Sequence, residues 1–280
     1  MNIERALKQA SKFLKKNNIC SFNLDSEILM SRVIKKDRKF LILNQKKQIK
    51  NSELKHYQQL INKRASGKPI AYLTGKKNFW KYDFKVNEDV LIPRPETELI
   101  VEQVLKLYKN KSKLRILDIG VGSGCIILSI LREKKDFFGV GIDKSKKCLN
   151  VCNINALNLK VKNRVKLFNF NIDNFNYGKY DIILSNPPYI KKLKIKYLDK
   201  DVKNFEPKLA LSGGLDGISE IRNVVRKSSE LIKKNGKLFL EIGFDQKNKV
   251  KKILKKNGFK LNKVLKDLAK NDRCIVCTKI

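Results

Sequence analysis

At 280 residues the chain holds one large domain and a smaller one, and its 42% hydrophobic content, set in periodic segments, marks it as folded. No apolar run approaches the length of a membrane span, and the first ten residues lack the apolar core of a signal peptide, so a protein of the cytoplasm is expected. The formal charge of +36 ordinarily points to nucleic acid. Lysine, however, is spread through every segment together with Asn and Ile, as AT-biased codon use would produce. With no basic patch visible, no stable nucleic-acid partner is expected, and a monomer is.

Residues 1–75 show helical periodicity: Ala6, Phe13 and Leu14 in a first segment, residues 24–33 in a second, and Leu54, Leu60 and Ile61 in a third. Asn23 or Asp25 is the expected cap of the second helix, and Gly67-Lys-Pro69 ends the third. From residue 79 to 92 the apolar positions alternate around Asn87-Glu-Asp89, which predicts a β-hairpin connector within residues 76–97. Arg94-Pro-Glu-Thr97 then leads into an amphipathic helix over 98–108. Beyond it strands and helices alternate. Strands are expected over 114–120, 137–143, 165–171, 180–185 and 237–242, with closing strands over 260–265 and 274–279; helices begin near Ser123 and Ser145 and span 218–233 and the residues before Asn257. Such alternation predicts an α/β domain over 98–280, doubly wound around a mostly parallel sheet.

Cys274-Ile-Val-Cys277 has the spacing of a zinc half-site but lies in an apolar strand, and no second such pair exists. With His56 the single histidine, the six cysteines read as free thiols and no metal is expected.

Chemistry enters at Ile116-Leu-Asp-Ile-Gly-Val-Gly-Ser-Gly-Cys125, where an apolar strand runs into a glycine-rich turn and a helix. Gly120, Gly122 and Gly124, with Val121 and Ser123 between them, allow close backbone approach to a bulky ligand. A dinucleotide-binding turn has the same pattern. S-adenosyl-L-methionine is favoured because Asp118 precedes the first glycine: a carboxylate there suits an ammonium group and sits badly beside a pyrophosphate. Asp143, ending the next strand, is placed to accept both ribose hydroxyls, as NAD folds also arrange. Asn171 ends the third strand, near the expected adenine, where a simple turn residue would also stand.

The fourth strand stops at Asn186-Pro-Pro-Tyr189. Two prolines forbid both a helix and a continued ladder, so the segment is stiff before anything binds. On its own it also reads as a rigid strand exit. Beside a sulfonium methyl it reads as a clamp: Asn186 Oδ1 and the Pro187 carbonyl each accept one N–H of a planar NH2 group, Pro188 holds the shape, and Tyr189 packs on the plane. Glutamine, adenine and cytosine share that group.

Together with Gly67-Lys-Pro-Ile-Ala-Tyr-Leu-Thr-Gly75, Phe79-Trp80, Leu91-Ile-Pro-Arg-Pro-Glu-Thr-Glu98, Phe205-Glu-Pro207 and Leu209-Ala-Leu211, these residues resemble the protein-(glutamine-N5) methyltransferases of peptide-chain release factors, the PrmC/HemK family. The resemblance runs nearly the whole length. It implies a seven-stranded, Rossmann-like class I methyltransferase domain preceded by a helical substrate-recognition domain. It also implies S-adenosyl-L-methionine held by residues 120–124 and Asp143, with Asn186 meeting both cofactor and substrate. Pro187, Pro188 and Tyr189 would shape the acceptor pocket, and the substrate would be the GGQ glutamine of class I release factors. Family members often carry a bulky aromatic where this chain has Asn171. An adenine methyltransferase of DNA or RNA is the alternative that Asn-Pro-Pro-Tyr and the charge allow; the chain has no separate base-reading segment for it.

Overall fold

The computed structural model describes residues 1–280, and its contacts divide them into two compact units: residues 1–76 with 199–205, and residues 77–198 with 206–280.

The first unit is helical: α1 (Ile3–Lys16), α2 (Phe22–Ile34), α3 (Arg38–Leu43), α4 (Asn51–Ala65) and α5 (Ile70–Thr74). Ile3, Ala6, Ala10 and Leu14 recur at helical spacing on α1 and meet Leu29, Met30, Tyr57 and Ile61 in one core. Helix α2 is capped by neither expected residue. It starts after Ser21, and Asp25 lies inside it as a buried carboxylate, 2.6 Å from Arg64 Nε of α4 and accepting from the Ser21 hydroxyl at 2.7 Å. A charge in that core needs its partner more than the helix end needs a cap.

A strand pair follows, β1 (Lys76–Phe79) and β2 (Tyr82–Lys85), all of it past Lys76 belonging to the second unit. Its turn lies at Trp80-Lys81, with Trp80 at φ +57°, rather than at Asn87-Glu-Asp89 as the alternation suggested. Asn87 and Asp89 instead bond to each other in a local turn. Then follow α6 (Glu98–Leu107), β3 (Arg115–Ile119), α7 (Cys125–Glu133), β4 (Phe138–Asp143), α8 (Lys146–Asn158), β5 (Val165–Asn169) and β6 (Tyr180–Ser185). The chain continues through α9 (Lys200–Phe205, within the first unit), α10 (Lys208–Leu211), α11 (Ser219–Leu231), β7 (Ile232–Glu241), α12 (Lys247–Lys256), β8 (Phe259–Lys266) and β9 (Asp272–Lys279).

Seven strands form one sheet in the order β5-β4-β3-β6-β7-β9-β8. β5 through β7 pair in parallel, while β9 is antiparallel to both of its neighbours. Side chains alternate strictly between faces. Ile116, Ile182, Leu184, Phe239 and Val276 pack with Ile100, Ile127 and Leu131, whereas Leu117, Ile183, Leu238, Leu240 and Ile275 pack with Ile221, Val225 and Val250. Both faces are covered by helices, so the sheet is doubly wound. Cys274 and Cys277 fall in opposite cores and share no ligand position. No helix is long and apolar enough to cross a membrane.

Candidate active site

β3 pairs with β4 on one side and β6 on the other, so the strand order reverses between β3 and β6. A crevice must open outside the carboxyl ends of strands at such a point. Here it is a cavity of about 320 Å³ lined by second-unit residues.

The turn after β3 forms its floor. Gly120 has φ +76° and open space where a Cβ would stand; the same conformation with a side chain would be strained and would narrow the floor. Gly124, at φ +82°, is glycine for another reason: a Cβ would lie 2.6 Å from Cys152 Sγ and 2.7 Å from Leu128 Cδ1, forcing α7 away from α8. Gly120, Val121, Gly122 and Ser123 line the cavity, while Gly124 stays behind it as the helix start.

Asp143, at the end of β4, also lines it. Its Oδ2 accepts from Gly122 N at 3.0 Å and its Oδ1 from Ser145 N at 2.9 Å. Those two bonds fix the carboxylate and leave each oxygen a second lone pair. Burial nevertheless raises its pKa, against the two amides and Lys144.

Asp118 is buried beneath the glycine turn and does not reach the cavity lining. Both of its oxygens lack a hydrogen-bond partner. Burial pushes its carboxyl up to about 7; the Ile127 amide, in the first turn of α7, opposes that rise without closing a hydrogen bond of normal geometry. Unsatisfied buried carboxylates are rare, and this one lies beneath the turn that a cationic ligand would approach.

Asn171 lines the opposite wall between Phe170 and Ile172. Its side chain accepts from Asp173 N at 3.4 Å, capping a short 3-10 turn, and its two neighbours supply the apolar surface. Phe170 is braced against Phe175 and Tyr177, with ring centroids 5.9 and 5.8 Å away.

Asn186, Pro187 and Pro188 line the β6 side. Ser185 Oγ donates to Ile119 O at 2.8 Å, tying the start of this turn to the end of β3. Asn186 Nδ2 donates to Thr97 Oγ1 at 3.1 Å. Tyr189 departs from expectation: it is not part of the lining but packs on the core beneath, its hydroxyl 3.2 Å from Glu241 Oε1 and 3.4 Å from Arg273. Buried Glu241 and half-buried Arg273 draw the phenol inward, away from an acceptor group.

The sequence reading missed Glu241, Arg273 and the roles of Thr97 and Glu206. Glu241 had a signal: it is the one charged residue ending the apolar run Leu238-Phe-Leu-Glu-Ile242, and a carboxylate there is buried for a reason. Arg94, on the cavity wall, pairs with buried Glu206 at 2.5 Å, and Glu206 also accepts from Ile92 N at 3.2 Å.

The donor set fits S-adenosyl-L-methionine. An orphaned carboxylate lies beneath the glycine turn, where an ammonium suits it, and a second carboxylate is fixed at a strand end for vicinal hydroxyls. Apolar side chains flank the third strand's exit for a base.

Comparison with known proteins agrees. Residues 5–75 match the PrmC N-terminal domain and residues 96–204 the methyltransferase small domain. The release factor glutamine methyltransferase of Clostridium acetobutylicum is 40% identical over 282 residues, covering 100% of this chain and 99% of that protein. The enzyme of the same name from Buchnera aphidicola subsp. Acyrthosiphon pisum is 37% identical over 279 residues, covering 100% and 99%. Among solved structures, the ribosomal protein L11 methylase of Lactobacillus delbrueckii subsp. bulgaricus shares the fold, with a TM-score of 0.52 and 14% identity over 70% of this chain and 84% of that one. The chain belongs to the release factor glutamine methyltransferases, S-adenosylmethionine-dependent enzymes built on a Rossmann-like α/β fold.

Proposed function

We propose that the protein methylates the side-chain amide nitrogen of the GGQ glutamine of class I peptide-chain release factors, acting as a monomer in the cytoplasm. The observation that carries this reading is the Asn186-Pro-Pro turn at the end of β6, beside the glycine turn of β3, in a chain matched end to end by release factor glutamine methyltransferases.

When bound, the cofactor supplies an electrophilic methyl group on a sulfonium. Residues 120–123 and Asp143 would hold it, with Phe170, Asn171 and Ile172 around its base and the Asp118 carboxylate acting on its ammonium group from beneath the glycine turn. The chain's own task is to present a nitrogen. An amide nitrogen is a weak nucleophile because its lone pair is delocalised, so positioning must supply most of the acceleration. Asn186 Oδ1 and the Pro187 carbonyl accept the two N–H groups of the glutamine amide, fixing its plane and turning its lone pair to the methyl. Held so, the nitrogen would stand in line with the methyl group that the cofactor would supply. The same two acceptors stabilise the positive charge that grows on the N–H groups. The N-methylated amide then loses one proton, acidic enough for water to take. Neither a metal nor a basic side chain is needed for these steps.

The test is peptide mass spectrometry of a purified class I release factor and of an adenine-containing duplex, each incubated with the protein and S-adenosylmethionine. One methyl on the GGQ glutamine is the expected result; methylated adenine beside an untouched release factor would replace this reading with nucleic-acid methylation. Asn186→Ala is expected to abolish transfer while cofactor affinity stays within about tenfold, ~1.4 kcal/mol. A fully active variant would remove Asn186 from the chemistry.

A further inference from the structure

An asparagine amide has two ends of nearly equal size, and the acceptor role proposed for Asn186 needs the oxygen end free. Beneath it lies a chain of buried and half-buried polar groups that the methylation chemistry does not use directly. Thr97 Oγ1, just before α6, is 2.6 Å from Glu241 Oε2 at the end of β7 and 3.1 Å from Asn186 Nδ2. The other oxygen of Glu241 accepts from the Tyr189 hydroxyl at 3.2 Å, and Arg273 lies 3.4 Å from that hydroxyl while paired with Asp267 at 3.0 Å.

The hydroxyl of Thr97 owns one proton. An ionised carboxylate only accepts, so Glu241 takes that proton and leaves Thr97 nothing but lone pairs to offer Asn186. Nδ2 then faces Thr97 and Oδ1 is turned away from it. A flipped amide would set oxygen against oxygen.

We propose that Thr97 and Glu241 are positioning residues that fix which end of the Asn186 amide is presented to the acceptor, and that the charge on Glu241 sets the direction. This deepens the preceding reading and rests on it. A protonated Glu241 donates to Thr97, freeing the threonine proton for Asn186 Oδ1. The flipped amide is then accommodated, and its NH2 opposes the NH2 of the substrate.

The groups facing Glu241 come from several elements: Glu96 and Thr97 before α6, Cys125 at the start of α7, Tyr189 after β6, and Arg273 and Cys274 on β9. Arg94 also acts on Tyr189. Burial pushes the Glu241 carboxyl up to about 7 against the Thr97 bond and Arg273, while the neighbouring thiols and phenol are raised away from neutrality. The switch therefore falls in an accessible range.

The experiment is the pH dependence of kcat for Thr97→Val, Thr97→Ser, Glu241→Gln and Asn186→Ala, at saturating cofactor, with cofactor Kd measured by calorimetry. In the native enzyme kcat is expected to fall as pH drops through about 7. Thr97→Val lowers kcat by about tenfold, the worth of one orienting hydrogen bond, leaves cofactor Kd within about twofold, and flattens the acid limb. Thr97→Ser restores both rate and limb. Glu241→Gln is slow at every pH and has no limb. An inactive Asn186→Ala beside a Thr97→Val enzyme with native rate and native limb overturns the proposal and spares the acceptor reading. An active Asn186→Ala overturns the acceptor reading itself.

Discussion

Asp118 carries a cost that a cationic ligand would relieve. With both oxygens unpartnered under the glycine turn and its pKa pushed up to about 7, it is half protonated near neutrality in the free protein. The folded-state value lies above the unfolded one, so the native state binds the extra proton. Stability from this group is full below the unfolded carboxylate range and is lost as pH rises through about 7. An ammonium brought to the site reverses that cost by favouring the ionised form. The cofactor-free protein should therefore lose thermal stability from about pH 5 to pH 8, by a few kcal/mol at most, while cofactor affinity rises over the same interval. In Asp118→Asn the affinity should no longer rise. Part of the stability slope should remain, because Glu241 is shifted in the same direction by the same cause. A calorimetric titration series across pH decides it; an unchanged affinity profile in Asp118→Asn would exclude this carboxylate from cofactor binding. Asp143→Ala acts differently. It removes an acceptor already bound to Gly122 N and Ser145 N, and should weaken the cofactor by about 10- to 100-fold, the loss of one or two charge-assisted hydrogen bonds. An unchanged dissociation constant would withdraw its role at the ribose.

At the scale of elements, the candidate site is where β3 and β6 end side by side; the two strand ends are marked in the sequence, and their pairing is not. Apolar runs ending in Asp-Ile-Gly and Ser-Asn-Pro-Pro mark both strands, and a turn of glycines or prolines can only lie at a strand exit. The strand pair near residue 80 was displaced because alternation is equally good in several registers, while the deciding event, Trp80 at φ +57°, leaves no compositional trace. Tyr189 was misplaced because its partners, Glu241 and Arg273, lie 52 and 84 residues away in the chain. The short elements after β6 were illegible for a similar reason: they are held by contacts rather than by periodicity. The clearest is the Arg94–Glu206 pair, which ties the 91–97 wall of the cavity to the 207–210 wall. Glu206 is almost wholly buried, so Arg94→Ala leaves a charge without its partner and should cost about 3–5 kcal/mol. Arg94→Met with Glu206→Gln should cost much less than the sum of the single changes. Denaturant titration of the cycle measures this, and additive costs would mean that the pair does not act as one tie.

For the whole molecule the consequence of two units is that stability and cofactor binding separate. The first unit has its own core around Leu14, Leu29, Met30 and Tyr57, and the cavity is lined only by the second. Arg64 is the polar centre of the first: its Nε meets Asp25 at 2.6 Å and its NH1 donates to Lys68 O at 3.2 Å. Removing it strands a buried carboxylate, a loss of about 3–5 kcal/mol that falls on the first core. In Arg64→Ala, amide exchange should therefore quicken through α1, α2 and α4, while protection of β3, β6 and β7 and the dissociation constant of S-adenosylmethionine stay within about twofold of native. If the first unit recognises the protein substrate, as the family resemblance implies, kcat/KM toward the intact release factor should fall in this variant. A short peptide bearing the glutamine, too small to engage a second surface, should be methylated at the native rate. Equal losses toward protein and peptide, with cofactor affinity kept, would confine recognition to the second unit. A loss of cofactor binding would instead show that the two cores do not hold their structure independently.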